Sequence, residues 1–424
     1  MMKTSLSVKY DTGSIGSIGN LLWNTKNKQD AFTYNPLFVE QQIDLAPIQM
    51  SIQAPRTQQQ LPWPAHDDKL YRSLPPMIAD ALPDYYGHAL YKAWLNANKI
   101  YKSKHCPLDL LAFIGNSAIG ALEFEPDDGL TEKKVSKPAM TIDLPALSLF
   151  SQKVLREKIV PSINKDNAHY WQQIMATSIF AGGRQPKAII GIGEKIGQIL
   201  SANGSLPEGY QPYLLKFEQD QNYPATKLEY IYYKIARLAG ISIMDSRLLT
   251  IENSTHFLTK RFDRNGMEKI HTQTLAAMAP HVKSYEGIFE VMHQLKLPAS
   301  DFKQQYLRMV FNVVMRNVDD HNKNFSFCMD KTHNWQLSPA YDQVFSLNLS
   351  APHYTNRHSL TVCGKNEHIT KNDLEKVALQ NNIQHYKTLI DQVIDAASHF
   401  AAYAKELGLP EDLIRAIQSQ HTLA

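Results

Sequence analysis

Between Thr226 and Ala239 the apolar residues Leu228, Ile231, Tyr232, Ile235 and Leu238 recur at three- and four-residue intervals, the spacing of one helix face, and Gly240 supplies a stop. Phe302, Tyr306, Met309, Val310 and Val313 repeat that spacing and predict a helix ending before Asn317. Three more amphipathic helices are predicted at Lys371–Asn381, Tyr386–Leu407 and Glu411–Gln418. Strict alternation over Ser5–Tyr10 predicts a strand instead. The β-branched run Lys187–Ile192 and the stretch Tyr213–Phe217 predict two more strands. Ile243–Ile251 and His256–Phe262 predict a pair around a turn at Glu252-Asn253-Ser254.

These elements fall into three stretches. Residues 1–135 form the first, opening with the Ser5–Tyr10 strand and a turn-rich segment, Thr12–Gly19. A polar, proline-rich loop covers 53–68, helices follow near Leu74–Ala81 and Tyr86–Asn96, and Leu108–Phe124, interrupted by Gly115 and Gly120, closes the unit before a charged linker. Residues 136–265 mix strands with one helix, and residues 266–424 are mainly helical. The expected fold class is α+β: a two-lobed, protein-kinase-like arrangement of a mixed lobe and a helical lobe, behind a β-containing N-terminal domain.

Composition narrows the classes. With 20% charged residues, a formal charge of +3 and a pI near 8.5, the 424-residue chain is neither disordered nor a membrane protein, and it is too mildly basic to imply nucleic-acid binding by itself. Cys106, Cys328 and Cys363 are too scattered for a disulfide framework or a zinc set. No apolar run is long enough to span a bilayer, and the N-terminus lacks a leader-like apolar segment, so a cytoplasmic location without membrane contact is expected. His271, His281, His293, His321 and His333 show no metal-site spacing.

The chemistry concentrates in Asn317-Val318-Asp319-Asp320-His321-Asn322-Lys323-Asn324. A strand at Phe325–Met329, a turn at Asp330–His333 and a returning strand at Asn334–Leu337 lead straight to Ser338-Pro339-Ala340-Tyr341-Asp342. A hairpin returns its ends to one place, so Asn324 and Asp342 should meet. Asp319, five residues before Asn324, has the spacing of a kinase catalytic base, with Asp320 its rival. Asn324 and Asp342 offer the oxygen ligands that Mg²⁺ prefers, and Lys323 can meet a phosphate or the acceptor.

Lys216 lies on the opposite face of its strand from Tyr213, Leu215 and Phe217, a position suited either to clamping phosphates or to solvent at a sheet edge. Glu229 on the next helix could orient it or face solvent. Ala181-Gly182-Gly183-Arg184-Gln185-Pro186-Lys187 would let backbone N–H groups approach ATP phosphates, and an ordinary tight turn fits the same residues. Thr259–Arg264 stands where a hinge would meet the nucleotide base.

The series Tyr213–Lys216, Leu228-Glu229-Tyr230, Lys260–Arg264, Asp319–Ser326 and Leu337–Asp342 resembles the HipA-type serine/threonine kinases, the toxins of bacterial HipBA toxin–antitoxin modules; Leu108–Gly115 and Gly120–Leu122 resemble the end of that family's N-terminal domain. The resemblance implies Asp319 as catalytic base, Asn324 and Asp342 as Mg²⁺ ligands, Lys216 on the ATP phosphates, and Lys260 with Phe262 at the adenine; Lys323 is taken with Asp319 as catalytic from its position. Arg261, His321, Gly182 and Gly183 complete the ATP-binding set. It implies a protein substrate such as an aminoacyl-tRNA synthetase, growth arrest with persistence, and a small DNA-binding HipB-like antitoxin through which operator DNA is reached. One departure stands out. The serine that opens the family's glycine-rich motif and is autophosphorylated falls at Ile179 or Phe180 here, leaving Ser178, beside Thr177, as the candidate. A catalytically weak corepressor acting with the antitoxin, and a small-molecule kinase on the same fold, are the alternative readings.

Overall fold

The computed structural model describes the chain except for residues 1–4, 12–15, 25, 27–28, 59–72, 84, 98–105, 127–138, 150–172, 174–176, 178–184, 194–197, 203–205, 220–222, 350–355 and 424. The candidate loop residues Gly182 and Gly183, and Ser178, therefore lie outside the described residues. The chain divides into two compact units. The first holds residues 1–219, 251–254 and 258–273, and the second holds 220–250, 255–257 and 274–424.

In the first unit the alternation of Ser5–Tyr10 does what the period of two requires: Leu6, Val8 and Tyr10 are buried, and the residues between them are partly exposed. This strand pairs antiparallel with Ser17–Asn24 on one side and Leu122–Pro126 on the other, and Gln29–Tyr34 completes a four-stranded sheet. The turn-rich reading of Thr12–Gly19 thus ends too late, because Ser17–Gly19 already belong to a strand. Their glycine and serine content hides it, yet Gly19 is required there: a Cβ would lie 2.3 Å from the Thr33 carbonyl oxygen and 2.7 Å from the Phe32 ring. The helix expected at Leu74–Ala81 shrinks to Pro76–Ala79, since Pro75-Pro76 holds the preceding backbone extended. The Pro107–Ile114 helix starts with proline at its first position, and Asp109 accepts the Cys106 N–H at 2.8 Å.

Further along the first unit, Lys187–Gly193 pairs antiparallel with Ile199–Ser201 and with Tyr210–Lys216. The segment after Lys260 then fastens itself to the N-terminal domain. Asp263, buried, accepts from Arg261 at 2.6 and 2.8 Å, from Arg264 at 2.7 Å and from the Gly120 N–H at 2.9 Å. Burial pushes the Asp263 carboxyl upward, but the two guanidiniums outweigh it and hold the group well below the usual carboxylate range. Arg264 also donates to the Gly120 carbonyl at 3.0 Å, and Gln273 and His271 both reach the Leu45 carbonyl, at 2.6 and 2.9 Å.

The second unit is built on the Ala299–Met315 helix, which is buried nearly all round and not only along the expected stripe: Gln305, Arg308 and Asn312 are buried with the apolar residues. Tyr232, from the Ala225–Leu238 helix, donates to the Met315 carbonyl at 2.6 Å and packs edge-on against Phe311 and Phe400. Thr422 supplies donors to the carbonyls of Val314 and Val313, at 3.0 and 2.8 Å, satisfying groups a helix end would leave open. The single helix expected over Tyr386–Leu407 is two, Tyr386–Ser398 and Phe400–Glu406. Ser398 and His399 turn their side chains back onto the Asp395 carbonyl there, in competition with the helical ladder. Among the described residues no helix is long and apolar enough to cross a membrane.

One buried carboxyl has no such support. Asp30 is fully buried and neither of its oxygens has a hydrogen-bond partner among the described residues. Burial raises its pKa from the ordinary 3.8 to about 8. Folding therefore holds a proton that the unfolded chain releases, so stability falls as pH rises from about 4 to about 8. Asp30→Asn should melt higher than the parent at pH 8, by a free energy on the order of a few kcal/mol, with the gain closing near pH 4. Parallel pH profiles of melting temperature for the two proteins would contradict the assignment.

Candidate active site

The Ala299–Met315 helix ends at Arg316 in the left-handed region, φ 56°, which turns the chain sharply into the loop. Asn317 is buried at this corner. Its side chain donates to Asn312 Oδ1 at 3.0 Å and to the Asp342 carbonyl at 3.3 Å. Ser346 Oγ accepts the N–H groups of Val318 and Asp319, at 2.8 and 3.0 Å. The loop before the predicted hairpin and the segment after it are thus tied together by bonds from the Asn317 and Ser346 side chains to backbone.

The next two residues diverge. Asp320 is buried and accepts from the Tyr285 hydroxyl at 2.7 Å, from His358 Nδ1 at 2.8 Å and from the Ser359 N–H at 2.7 Å. Asp319 is exposed, with 67% of its side chain accessible, and His321 Nε2 stands 3.9 Å from its Oδ1. A carboxylate filled by donors on the inside cannot take a proton from a solvent-side acceptor. Asp320 is therefore a structural anchor, and Asp319 is the carboxylate that faces out.

Asn322–Asn324 forms a short 3₁₀ turn. In it the Asn324 Nδ2 donates to the Asp319 carbonyl at 2.7 Å. That bond fixes which end of the amide is committed: the nitrogen is held, and Oδ1 is left as the acceptor. Strands Ser326–Met329 and Trp335–Leu337 then pair antiparallel, with Phe327 opposite Leu337 and Met329 opposite Trp335, as the sequence predicts. Ser338 N–H bonds the Ser326 carbonyl at 3.0 Å, and the Tyr341 hydroxyl donates to the Lys323 carbonyl at 2.8 Å. Asp342 follows in the left-handed region, φ 51°.

Among the described residues no cluster of three His, Cys, Asp or Glu is arranged for a metal. The set here is an amide oxygen and a carboxylate, which suits a hard ion whose remaining ligands are water and phosphate. The residues fit Mg²⁺ bound with a nucleotide and do not form a closed protein cage.

In the first unit, Lys216 is buried and sits directly opposite Lys187, also buried, across antiparallel strands. The edge-strand reading of Lys216 is thereby excluded. Lys187, not singled out from the sequence, shares its face, and only strand register reveals this. Lys260 and Phe262 are partly exposed, whereas Arg261 is buried with its guanidinium on Asp263. Glu229 is buried, so it does not face solvent.

Two family models match the chain: the HipA-like C-terminal domain over residues 179–420, more than half its length, and the HipA N-terminal domain over residues 7–125. The chain belongs to the HipA family. A solved structure of the Shewanella oneidensis MR-1 toxin–antitoxin system, HipA with HipB and its operator DNA, superposes with a TM-score of 0.68 at 16% identity, covering 98% of this chain and 94% of that one. At that identity the likeness speaks for the fold, and the α+β, kinase-like HipA fold with its N-terminal domain is the one expected from the sequence. A putative kinase, Y4dM, of Sinorhizobium fredii is 22% identical over 218 residues, 47% of this chain, and the match spans about half the relative's own length, 53%. A proinflammatory Helicobacter pylori kinase, CtkA, matches 49% of the chain with 13% identity and a TM-score of 0.36, too low to carry an argument.

The adjacent carboxylates should separate in a melting experiment. Asp320→Ala leaves buried donors unsatisfied and should destabilise the protein by roughly 3 kcal/mol or more. Asp319→Ala should change stability by less than about 0.5 kcal/mol. Equal melting temperatures for the two variants would show that burial does not distinguish them.

Proposed function

We propose that this chain is an ATP- and Mg²⁺-dependent serine/threonine protein kinase, the toxin of a type II toxin–antitoxin module. The observation that carries this reading is the exposure of Asp319 on a loop whose backbone is tied both to Asn324 and, through Asn317, to Asp342. Kinase chemistry asks for positioned groups more than for covalent help. Asp319 would accept the proton of the substrate hydroxyl as its oxygen attacks the terminal phosphorus. His321, 3.9 Å away, would feel the change in charge on Asp319. Asn324 and Asp342 would hold Mg²⁺, which when bound neutralises charge on the phosphates. Lys323 would contact the transferred group or the acceptor.

Lys216 is the proposed phosphate contact of the first unit, supported by its burial and by the second lysine facing it across the strands. Lys260 and Phe262 are proposed at the adenine, with Arg261 contributing through the strand end it stabilises. Gly182 and Gly183 are proposed over the phosphates, and Ser178 as a site of self-phosphorylation. Family membership supports a cytoplasmic protein, a translation component such as an aminoacyl-tRNA synthetase as substrate, and growth arrest with persistence as outcome. The HipA–HipB–operator complex of the Shewanella relative supports a HipB-like antitoxin as partner, with DNA reached through it.

Incubation of the full chain with labelled ATP and a bacterial lysate should label one or a few proteins. Asp319→Ala should lower that labelling by about 10²–10⁴-fold, the usual worth of a general base, and Asp342→Ala should abolish it, both with unchanged melting temperature. Full labelling by folded Asp319→Ala would remove the base from Asp319. Full labelling by Asp342→Ala would move the metal site.

A further inference from the structure

The backbone ladder of the hairpin stops short of the two residues it brings together. Its outermost bond runs from the Ser338 N–H to the Ser326 carbonyl, at 3.0 Å. Beyond it Pro339 has no N–H to give, the Ala340 N–H turns to the Ser242 carbonyl at 2.8 Å, and the Phe325 carbonyl takes the Leu275 N–H at 2.8 Å. Asn324 and Asp342 therefore lie past the end of the ladder. Asp342 also sits at φ 51°, a backbone conformation that persists in a residue with a side chain only where its surroundings hold it.

Tyr341 spans this gap. Its hydroxyl donates to the Lys323 carbonyl at 2.8 Å, and Ser326 Oγ stands 2.5 Å from the same phenol oxygen. A phenol has one proton, and a carbonyl can only accept. With that proton directed at Lys323, the buried Ser326 hydroxyl must be the donor of the second bond. The bonds thus run in one direction, Ser326 to Tyr341 to Lys323, and each polarises the next. The carbonyl on which they end belongs to the peptide group that carries Asn324, and the N–H of that same peptide is taken by the His321 carbonyl at 2.8 Å. The peptide is therefore held at both of its polar ends. On the other side Tyr341 is covalently joined to Asp342. Its own carbonyl accepts from Gln343 Nε2 at 3.1 Å, and the Asp342 carbonyl accepts from Asn317 at 3.3 Å.

We propose that Tyr341 is a positioning residue for the metal site: its hydroxyl, by tying the peptide of Asn324 to the residue before Asp342, sets the spacing of the two side chains that would share one Mg²⁺. The inference rests on the proposed Mg²⁺ assignment of Asn324 and Asp342. Tyr341 acts through backbone and is not itself a ligand. Mg²⁺ demands near-octahedral geometry, and a site with two protein ligands has no third side chain to compensate when one of them shifts. Groups that orient a metal ligand are felt in metal affinity for this reason. A hydroxyl that only stabilised the hairpin would be felt equally with and without the metal.

The test is titration of the full chain with Mg²⁺ in the presence of a fluorescent ATP analogue, with the analogue's affinity measured separately in chelator, so that binding and not phosphoryl transfer is read. Tyr341→Phe should raise the Mg²⁺ concentration for half-maximal enhancement of binding about tenfold or more, and should change the metal-free affinity by less than about twofold. The same substitution leaves the buried Ser326 hydroxyl without its acceptor and so lowers the melting temperature. Tyr341→Phe combined with Ser326→Ala removes that orphaned group; it should regain melting temperature while keeping the raised Mg²⁺ requirement, and it decides the matter if Tyr341→Phe alone fails to fold. A folded variant with the parent's Mg²⁺ requirement, or one weakened equally with and without Mg²⁺, would overturn this inference and leave the Mg²⁺ assignment standing. A parent whose analogue binding ignores Mg²⁺, with Asp342→Ala indistinguishable from it, would overturn the assignment and the role of Tyr341 together.

Discussion

Taking the Asp320 carboxylate out of water is unfavourable by several kcal/mol unless its lone pairs are filled. The fold fills them from stretches far apart in sequence: the Tyr285 hydroxyl, the His358 ring and the Ser359 N–H. Tyr285 in turn accepts from Asn312 at 2.9 Å, and Asn312 accepts from Asn317. A continuous run of hydrogen bonds therefore connects the buried central helix to the first residue of the candidate catalytic loop. Val318 and Asp320 are buried and Asp319 between them is exposed, so the loop that turns Asp320 inward presents Asp319 to water. The exposure of the candidate base follows from the burial of its neighbour.

Local features of this arrangement were legible and distant ones were not. The hairpin between Asn324 and Asp342 is written in about twenty consecutive residues, where turn chemistry and alternation suffice to bring its ends together. The partners of Asp320 leave no such trace. His358 lies 38 residues on, in a stretch without periodicity, and no spacing rule ties a histidine to a carboxylate across a loop. Strand register was equally hidden, so Lys187 and Lys216 read as separate lysines until pairing set them opposite one another. Ser17–Gly19 misled for a different reason. Small residues signal turns, but here they allow one strand to approach the Phe32 ring of its neighbour.

The Arg261–Asp263–Arg264 block shows how a motif can carry more than one task. Family resemblance groups Arg261 with the nucleotide, whereas its guanidinium is occupied by Asp263. That carboxylate also receives the Gly120 N–H, from a residue 143 positions earlier, at a φ of +79° where a Cβ would press to 3.0 Å of the Thr272 nitrogen. The block secures the end of a strand to the N-terminal sheet domain. Lys260 and Phe262, on either side of Arg261, keep part of their surface accessible. Alternation again separates an internal anchor from its exposed neighbours.

Three buried aspartates make the underlying rule explicit. Asp263 lies between two guanidiniums and stays ionised far below the usual range. Asp320 is surrounded by a hydroxyl, an imidazole and backbone N–H groups, and organises the loop around it. Asp30 lacks hydrogen-bond donors among the described residues, and burial alone drives its carboxyl toward the protonated form. Burial is common to all three, so burial cannot be what assigns their roles; the donors within reach do. Exposure is what separates Asp319 from Asp320. A carboxylate sealed among buried donors holds structure in place, and one that faces water beside such an anchor stays within reach of an acceptor hydroxyl, which is the condition a general base requires.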